Sequence, residues 1–177
     1  IFLLSCWCLT LGCALLATDE QHVVKLNAQW YIGLVFGFAT LWKAISAEYL
    51  NGSVFQYLLT TDIRFFEIAY FFGDYSSQML IHNREALDQM WTSADVIQFR
   101  SAPQILVAQC MTWWTLLMEA AIAILFLVPN RYGWEKWRHL SLQLFIILTY
   151  PPTNIVGFAW ILIILALAQC DERFRKI

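Results

Sequence analysis

Long apolar runs alternate with short polar stretches along this chain, the hydropathy pattern of helices that cross a bilayer. Ile1–Ala17 is apolar throughout and extends about 25 Å as a helix, slightly short of a hydrocarbon core. A polar connection, TDEQHVVK, follows. Leu26–Ile45 predicts a second span of about 30 Å, opened by Trp30 and Tyr31 in the manner of an interfacial aromatic belt. Gln104–Val128 predicts a third of about 37 Å, enough to cross with tilt. Leu140–Gln169 is about 45 Å long if straight, too long for one simple crossing, and Pro151–Pro152 divides it.

The stretch Val54–Pro103 mixes charge with aromatics too often for a span. Phe65, Ile68, Ala69 and Phe72 recur at i, i+3, i+4 and i+7, a one-faced apolar stripe. Leu80, Leu87, Met90 and Trp91 form a weaker stripe, with Arg84 and Asp88 spaced for an i, i+4 pair. These spacings predict amphipathic helices at the membrane surface or over the bundle, with Phe65–Phe72 as a short re-entrant piece the alternative. The fold class is therefore an all-α integral membrane protein, a bundle of about four spanning helices with interfacial helices. The 177 residues form one membrane domain, with 46–103 an insertion between spans. Ile1 begins the chain without a basic segment or cleavage site, and Arg173–Ile177 follows an apolar run, so both ends read as cut. Basic residues flank the helices on both sides, Lys25, Arg131, Lys136 and Arg138 against Arg173, Arg175 and Lys176, and leave the orientation undecided.

Composition strengthens the membrane reading. Hydrophobic residues make up 60% and charged residues 14% of the chain, against roughly 45–50% and 25% in soluble domains. A soluble fold of that balance exposes large apolar patches, whereas a bilayer accommodates them. The implied partners are the lipid bilayer and other membrane subunits; a net charge of −2 without a basic patch excludes nucleic acid. The cysteines, Cys6, Cys8, Cys13, Cys110 and Cys170, form no metal or redox motif and read as free packing residues. No zinc, haem, phosphate-loop or nucleophile-elbow pattern is present, and no cofactor is implied.

Ionisable and helix-breaking residues inside apolar runs mark where chemistry can reside. Glu119 stands in WWTLLMEAAIAILFLV; a carboxylate near the bilayer centre costs about 2.5–3.5 kcal/mol on insertion scales unless protonated, paired or facing a cavity. It locks two helices together or forms a proton or ligand site. Lys43 ends the second span, where a lysine ordinarily snorkels to the headgroups. A third span beginning at Gln104 puts Glu119 about 22 Å deep and Lys43 about 3 Å deep, with no pair between them. If Trp113 and Trp114 mark the interface instead, Glu119 is about 9 Å deep and a Lys43 contact becomes available. The prolines free the carbonyls of Ile147 and Leu148 and push Tyr150 toward extended geometry. Thr153 and Asn154 satisfy such groups locally, or the break, with Tyr150, Thr153 and Asn154, lines a pocket. Asp62 and Arg64 read as a capped, ion-paired helix start, with ligand binding the alternative, and His139 as an interfacial residue opening the fourth run.

One segment carries a family likeness. Phe36-Gly-Phe-Ala-Thr-Leu-Trp-Lys43, followed by Glu48-Tyr-Leu-Asn-Gly52, resembles the membrane domain shared by vitamin K-dependent gamma-carboxylase and its bacterial relatives, the HTTM domain. Arg138-His-Leu-Ser-Leu-Gln-Leu-Phe145 is similar to a His-containing helix start in that domain. The resemblance spans about Trp30–Gln169 and implies that Lys43 occupies the place of the second of two adjacent lysines, the proposed catalytic base. The first falls on Trp42, a departure, and the family's His-rich segment has no counterpart here. Two functions follow: an accessory or structural subunit of a larger membrane assembly, or an enzyme acting on a lipophilic, quinol-like substrate. In the second, Lys43 is the base, assisted by Glu119 or His139.

Overall fold

In the computed structural model, the described residues are 20–73, 76–89, 102–128, 133–153 and 156–169. They form eight α-helices and one short 3-10 turn, with no strand among them. In chain order these are α1 (Glu20–Ile45), α2 (Ala47–Leu50), α3 (Ser53–Thr61), the 3-10 turn Ile63–Phe65, α4 (Phe66–Gly73), α5 (Ser77–Gln89), α6 (Ala102–Leu127), α7 (Glu135–Thr153) and α8 (Val156–Leu167). The first apolar run, the end of the second amphipathic stripe at Met90 and Trp91, and four of the cysteines lie outside the described residues, as does the Asp88 side chain.

The axis of the molecule is the antiparallel pair α1–α6. Ala28, Ile32 and Phe36 on α1 and Ile122, Ala123 and Phe126 on α6 are fully or almost fully buried between them. Two glycines four residues apart let the backbones approach, the small-xxx-small device of helix pairs in lipid. A Cβ on Gly33 would stand 2.8 Å from Leu127 Cδ2, and one on Gly37 3.8 Å from Leu127 Cδ1. Gln29 Nε2 donates to the Phe126 carbonyl at 2.8 Å and pins the same end. Leu142 and Phe145 of α7 and Ala159, Leu162 and Leu165 of α8 complete this cluster. A second cluster, Tyr49, Phe55, Leu59, Phe65, Ala69 and Leu80, gathers α2–α5 around Ala108, near the other end of α6.

Within α6, Pro103–Leu127 is the one described helix long and apolar enough to cross a membrane. The apolar run Leu140–Gln169 is divided into α7 and the short α8, as the prolines imply, but the position of the break differs. Pro151 and Pro152 sit in the last turn of α7, and Tyr150 stays helical where extended backbone was expected. Its buried ring is held edge-on between Phe145 and Phe158, at centroid distances of 5.6 and 6.1 Å. That packing outweighs the pre-proline preference, which disfavours helix without forbidding it.

Arg138 does work that the sequence pattern did not reveal. It is 3% exposed, its Nε donates to the Leu125 carbonyl at 2.5 Å and its Nη2 to the Val128 carbonyl. The last carbonyls of a helix have no intrahelical donor and carry the negative end of its dipole, so a cation there both caps and compensates α6.

Candidate functional site

A break in the chain beside the middle of α6 creates the site. α1 stops at Ile45, and Ser46 turns to extended geometry (φ −88°, ψ 111°) and accepts a hydrogen bond from the Tyr49 amide at 3.2 Å, capping α2. Gly52 then adopts a left-handed conformation (φ 81°) that an L side chain resists, and a Cβ there would approach Gln109 Cγ within 3.5 Å. Asn51 Oδ1 accepts from the Ser53 amide and closes the turn. The chain therefore continues along α6 after α1 has ended, and Lys43 and Tyr49 both meet it from the same side.

Lys43 Nζ lies 2.5 Å from Glu119 Oε1, and the two side chains are 22% and 9% exposed. Nζ also sits 5.2 Å from the centroid of the Tyr49 ring, within cation–π range. Tyr49 Oη is 2.5 Å from Thr115 Oγ1. Thr115 Oγ1 is in turn 2.9 Å from the Met111 carbonyl and 3.0 Å from that of Thr112. A carbonyl only accepts and a hydroxyl has one proton, so Thr115 donates to its own helix and Tyr49 donates to Thr115. Glu119 Oε2 is buried with no hydrogen-bond partner among the described residues. Of the two registers open in the sequence, the one that lets Lys43 reach Glu119 matches this geometry, because α6 runs on past the end of α1. Glu119 stands about 12 Å from the C-terminal end of α6 and about 24 Å from Pro103.

The pair borders a cavity of about 890 Å³, within the range of small-molecule sites. Its walls are overwhelmingly apolar: Val54, Phe55, Leu58 and Phe65 on one side, Leu106, Val107 and Met111 along α6, and Phe145 and Leu148 from α7. The polar lining is Lys43, Glu119, Tyr49, Thr115, Thr149 and Tyr150. The cavity shares Tyr49, Phe55 and Phe65 with the second hydrophobic cluster and Phe145 and Tyr150 with the first.

Of the residues singled out by sequence, Lys43, Glu119 and Tyr150 thus share one cavity. His139 is half-buried near the start of α7 and is not part of the lining. Asp62 and Arg64 form a separate exposed pair. Asp62 caps the 3-10 turn by accepting from the Arg64 amide at 3.0 Å, and also binds the Arg64 guanidinium at 2.5–3.0 Å. Hydrogen bonding from Arg64 holds the Asp62 carboxyl below its usual range. The Thr153 side chain and Asn154 lie outside the described residues. No group of three metal-ligating side chains gathers among the described residues.

Tyr49 and Thr115 were not legible as site residues. The available signal was the sequence Ser46 to Gly52, whose cap and turn residues imply that the long helix ends soon after Lys43 and that a new turn carrying Tyr49 begins beside it. Comparison of the chain with family models, curated proteins and solved structures returns no match.

Proposed function

We propose that this chain is a membrane-embedded helical protein whose Lys43–Glu119 pair forms the polar end of a binding cavity for a lipophilic molecule. The observation that carries this reading is the pairing of two opposite charges at the wall of an otherwise apolar cavity. Outward faces support the membrane setting. Phe38, Leu41, Trp42 and Ile45 on α1, Leu106, Trp113, Leu117 and Ile124 on α6, and Trp160, Ile164 and Leu167 on α8 are all exposed. A helix that is apolar outward as well as inward belongs in lipid or inside a larger assembly. The buried Thr60, Thr61, Thr112 and Thr115 and the half-buried Thr40 each donate to a carbonyl of their own helix, which suits a hydroxyl in an apolar surround. In this reading α1, α6 and the α7–α8 unit embed together with the first apolar run, about four passes in all, and the exposed aromatics Tyr70, Phe71 and Phe72 of α4 lie at the interface.

The likeness to the gamma-carboxylase membrane domain adds an enzymatic version of the same reading, with Lys43 as a base toward a quinol-like substrate. Base chemistry requires the ammonium first to give up its proton, and Glu119, 2.5 Å away, is the group placed to take it. A role as an accessory subunit draws instead on the exposed apolar faces, which a neighbouring protein would cover as well as lipid does.

The test is lipid retention. Protein extracted in mild detergent, then stripped with organic solvent, is expected to release a lipophile in near-equal amount, identified by mass spectrometry. Val107→Trp, which fills the cavity wall, is expected to lose it while remaining monodisperse. Equal retention by both proteins, or by neither, contradicts the reading; stable co-purification of other polypeptides with an empty cavity favours the subunit role.

A further inference from the structure

The cavity has a direction, and its accessible polar atoms have a sense. From Glu119 it runs along α6 to Leu106, about 20 Å, a length suited to an extended alkyl chain. Lining residues from three helices are also open to the outside: Phe72, Leu106 and Leu148 are 69%, 62% and 48% exposed, and Cys110 is exposed. An apolar rim on an outward face admits a molecule from an apolar surround, not from water.

At the inner end Glu119 Oε2 and Thr149 Oγ1 are buried, and the charged group that keeps exposed surface is the ammonium. A lysine has three N–H donors and no acceptor. Glu119 takes one and the Tyr49 ring covers another side of Nζ, while the side chain keeps 22% of its surface. Thr115 is already occupied by Tyr49 and by its own helix. The charge of Lys43 is balanced by Glu119, so an anion arriving there gains a cation already neutralised and meets a carboxylate in addition. A neutral acceptor meets no such opposition.

We propose that the cavity admits, sideways between α4, α6 and α7, a neutral single-chain lipophile whose polar end is a hydrogen-bond acceptor such as an ester carbonyl, seated against the Lys43 ammonium. This deepens the reading of the cavity as a lipophile site and rests on it. The experiment uses protein in phosphatidylcholine nanodiscs and, as probe, the methyl ester of a diazirine-bearing dodecanoic acid, with cross-links mapped by peptide mass spectrometry. Methyl dodecanoate, dodecane and dodecanoate are the competitors. Labelling is expected in the cavity wall, at Val107, Met111 or Leu148. Methyl dodecanoate should compete at about tenfold lower concentration than dodecane, the scale of one hydrogen bond to a charged donor. Dodecanoate should do no better than dodecane. In the double variant Lys43→Met/Glu119→Met, which removes both charges together, the advantage of the ester should vanish while wall labelling persists. If ester and alkane compete equally in the wild-type protein, or dodecanoate outcompetes the ester, the recognition proposed here is wrong and the lipophile cavity stands. If nothing labels the wall, both fail.

Discussion

Removing the Lys43 ammonium alone leaves the Glu119 carboxylate buried opposite no cation, with neither oxygen partnered by the groups that now surround it. Breaking one side of a buried pair costs about 3–5 kcal/mol, whereas replacing both sides by apolar groups of similar volume is often close to neutral. Lys43→Met is therefore expected to lower the thermal midpoint in detergent sharply, and Lys43→Met/Glu119→Met to recover most of the loss. Additive losses would show that the two residues do not sense each other. Asp62 offers a pH-dependent case outside the proposed spans. Its pKa is lowered in the fold by Arg64, so its contribution is complete above the usual carboxylate value of about 4 and is lost as pH falls through the lower folded value. The difference in midpoint between the wild type and Asp62→Asn should be flat from about pH 7 to 5 and shrink below about pH 4. A difference that grows on acidification would contradict this assignment. At this scale the sequence identified Glu119 as a charge requiring protonation, a partner or a cavity, whereas Lys43 read as an ordinary lysine at a helix end, with a contact to Glu119 open in only one register. Whether the two pair depended on where α1 stops relative to α6, which hydropathy does not encode.

The α1–α6 contact turns on which glycine has a neighbour in the way. A methyl at Gly33 meets Leu127 Cγ at 2.9 Å and Phe126 Cβ at 3.3 Å, so the half-buried Leu127 side chain must move against its neighbours. At Gly37 the nearest atoms stand at 3.8 and 3.9 Å, ordinary contact. Gly33→Ala is thus expected to destabilise by about 1–3 kcal/mol through overpacking, while Gly37→Ala is neutral or gains up to about 1 kcal/mol of helix propensity. Thermal midpoints of the two variants in the same detergent decide it, and the opposite order would refute the close approach at Gly33. Helices themselves were largely legible, since α1 and α6 follow from long apolar runs. The continuation of α7 through Pro151–Pro152 was not, because a local preference at Tyr150 gave way to ring packing contributed by α8. Nor was the cap on α6, because Arg138 reads as one more basic residue in an interfacial loop until the carbonyls of Leu125 and Val128 are seen beside it.

At the level of the whole molecule, two hydrophobic clusters sit toward opposite ends of α6, and the cavity shares walls with both, running from the Lys43–Glu119 pair to Leu106. The sequence breaks helix at Ser46 and sends smaller helices, not more of α1, along the rest of α6, and those helices supply one wall of the cavity. Composition made the all-helical class readable, since apolar residues dominate both faces of the long helices. The same uniformity hid the cavity, since a residue facing an internal space and one facing lipid are chosen from the same apolar set. In the proposed setting, hydrocarbon surrounds the outward faces of α1, α6 and α8. Spin labels at Phe38→Cys, Leu117→Cys and Ile164→Cys, one on each of α1, α6 and α8, on a background lacking the other cysteines and reconstituted in lipid, test that directly. Collision with oxygen, which concentrates in the bilayer, is predicted to exceed collision with a water-soluble nickel chelate at all three. Dominant access of the nickel chelate to any of them would contradict it.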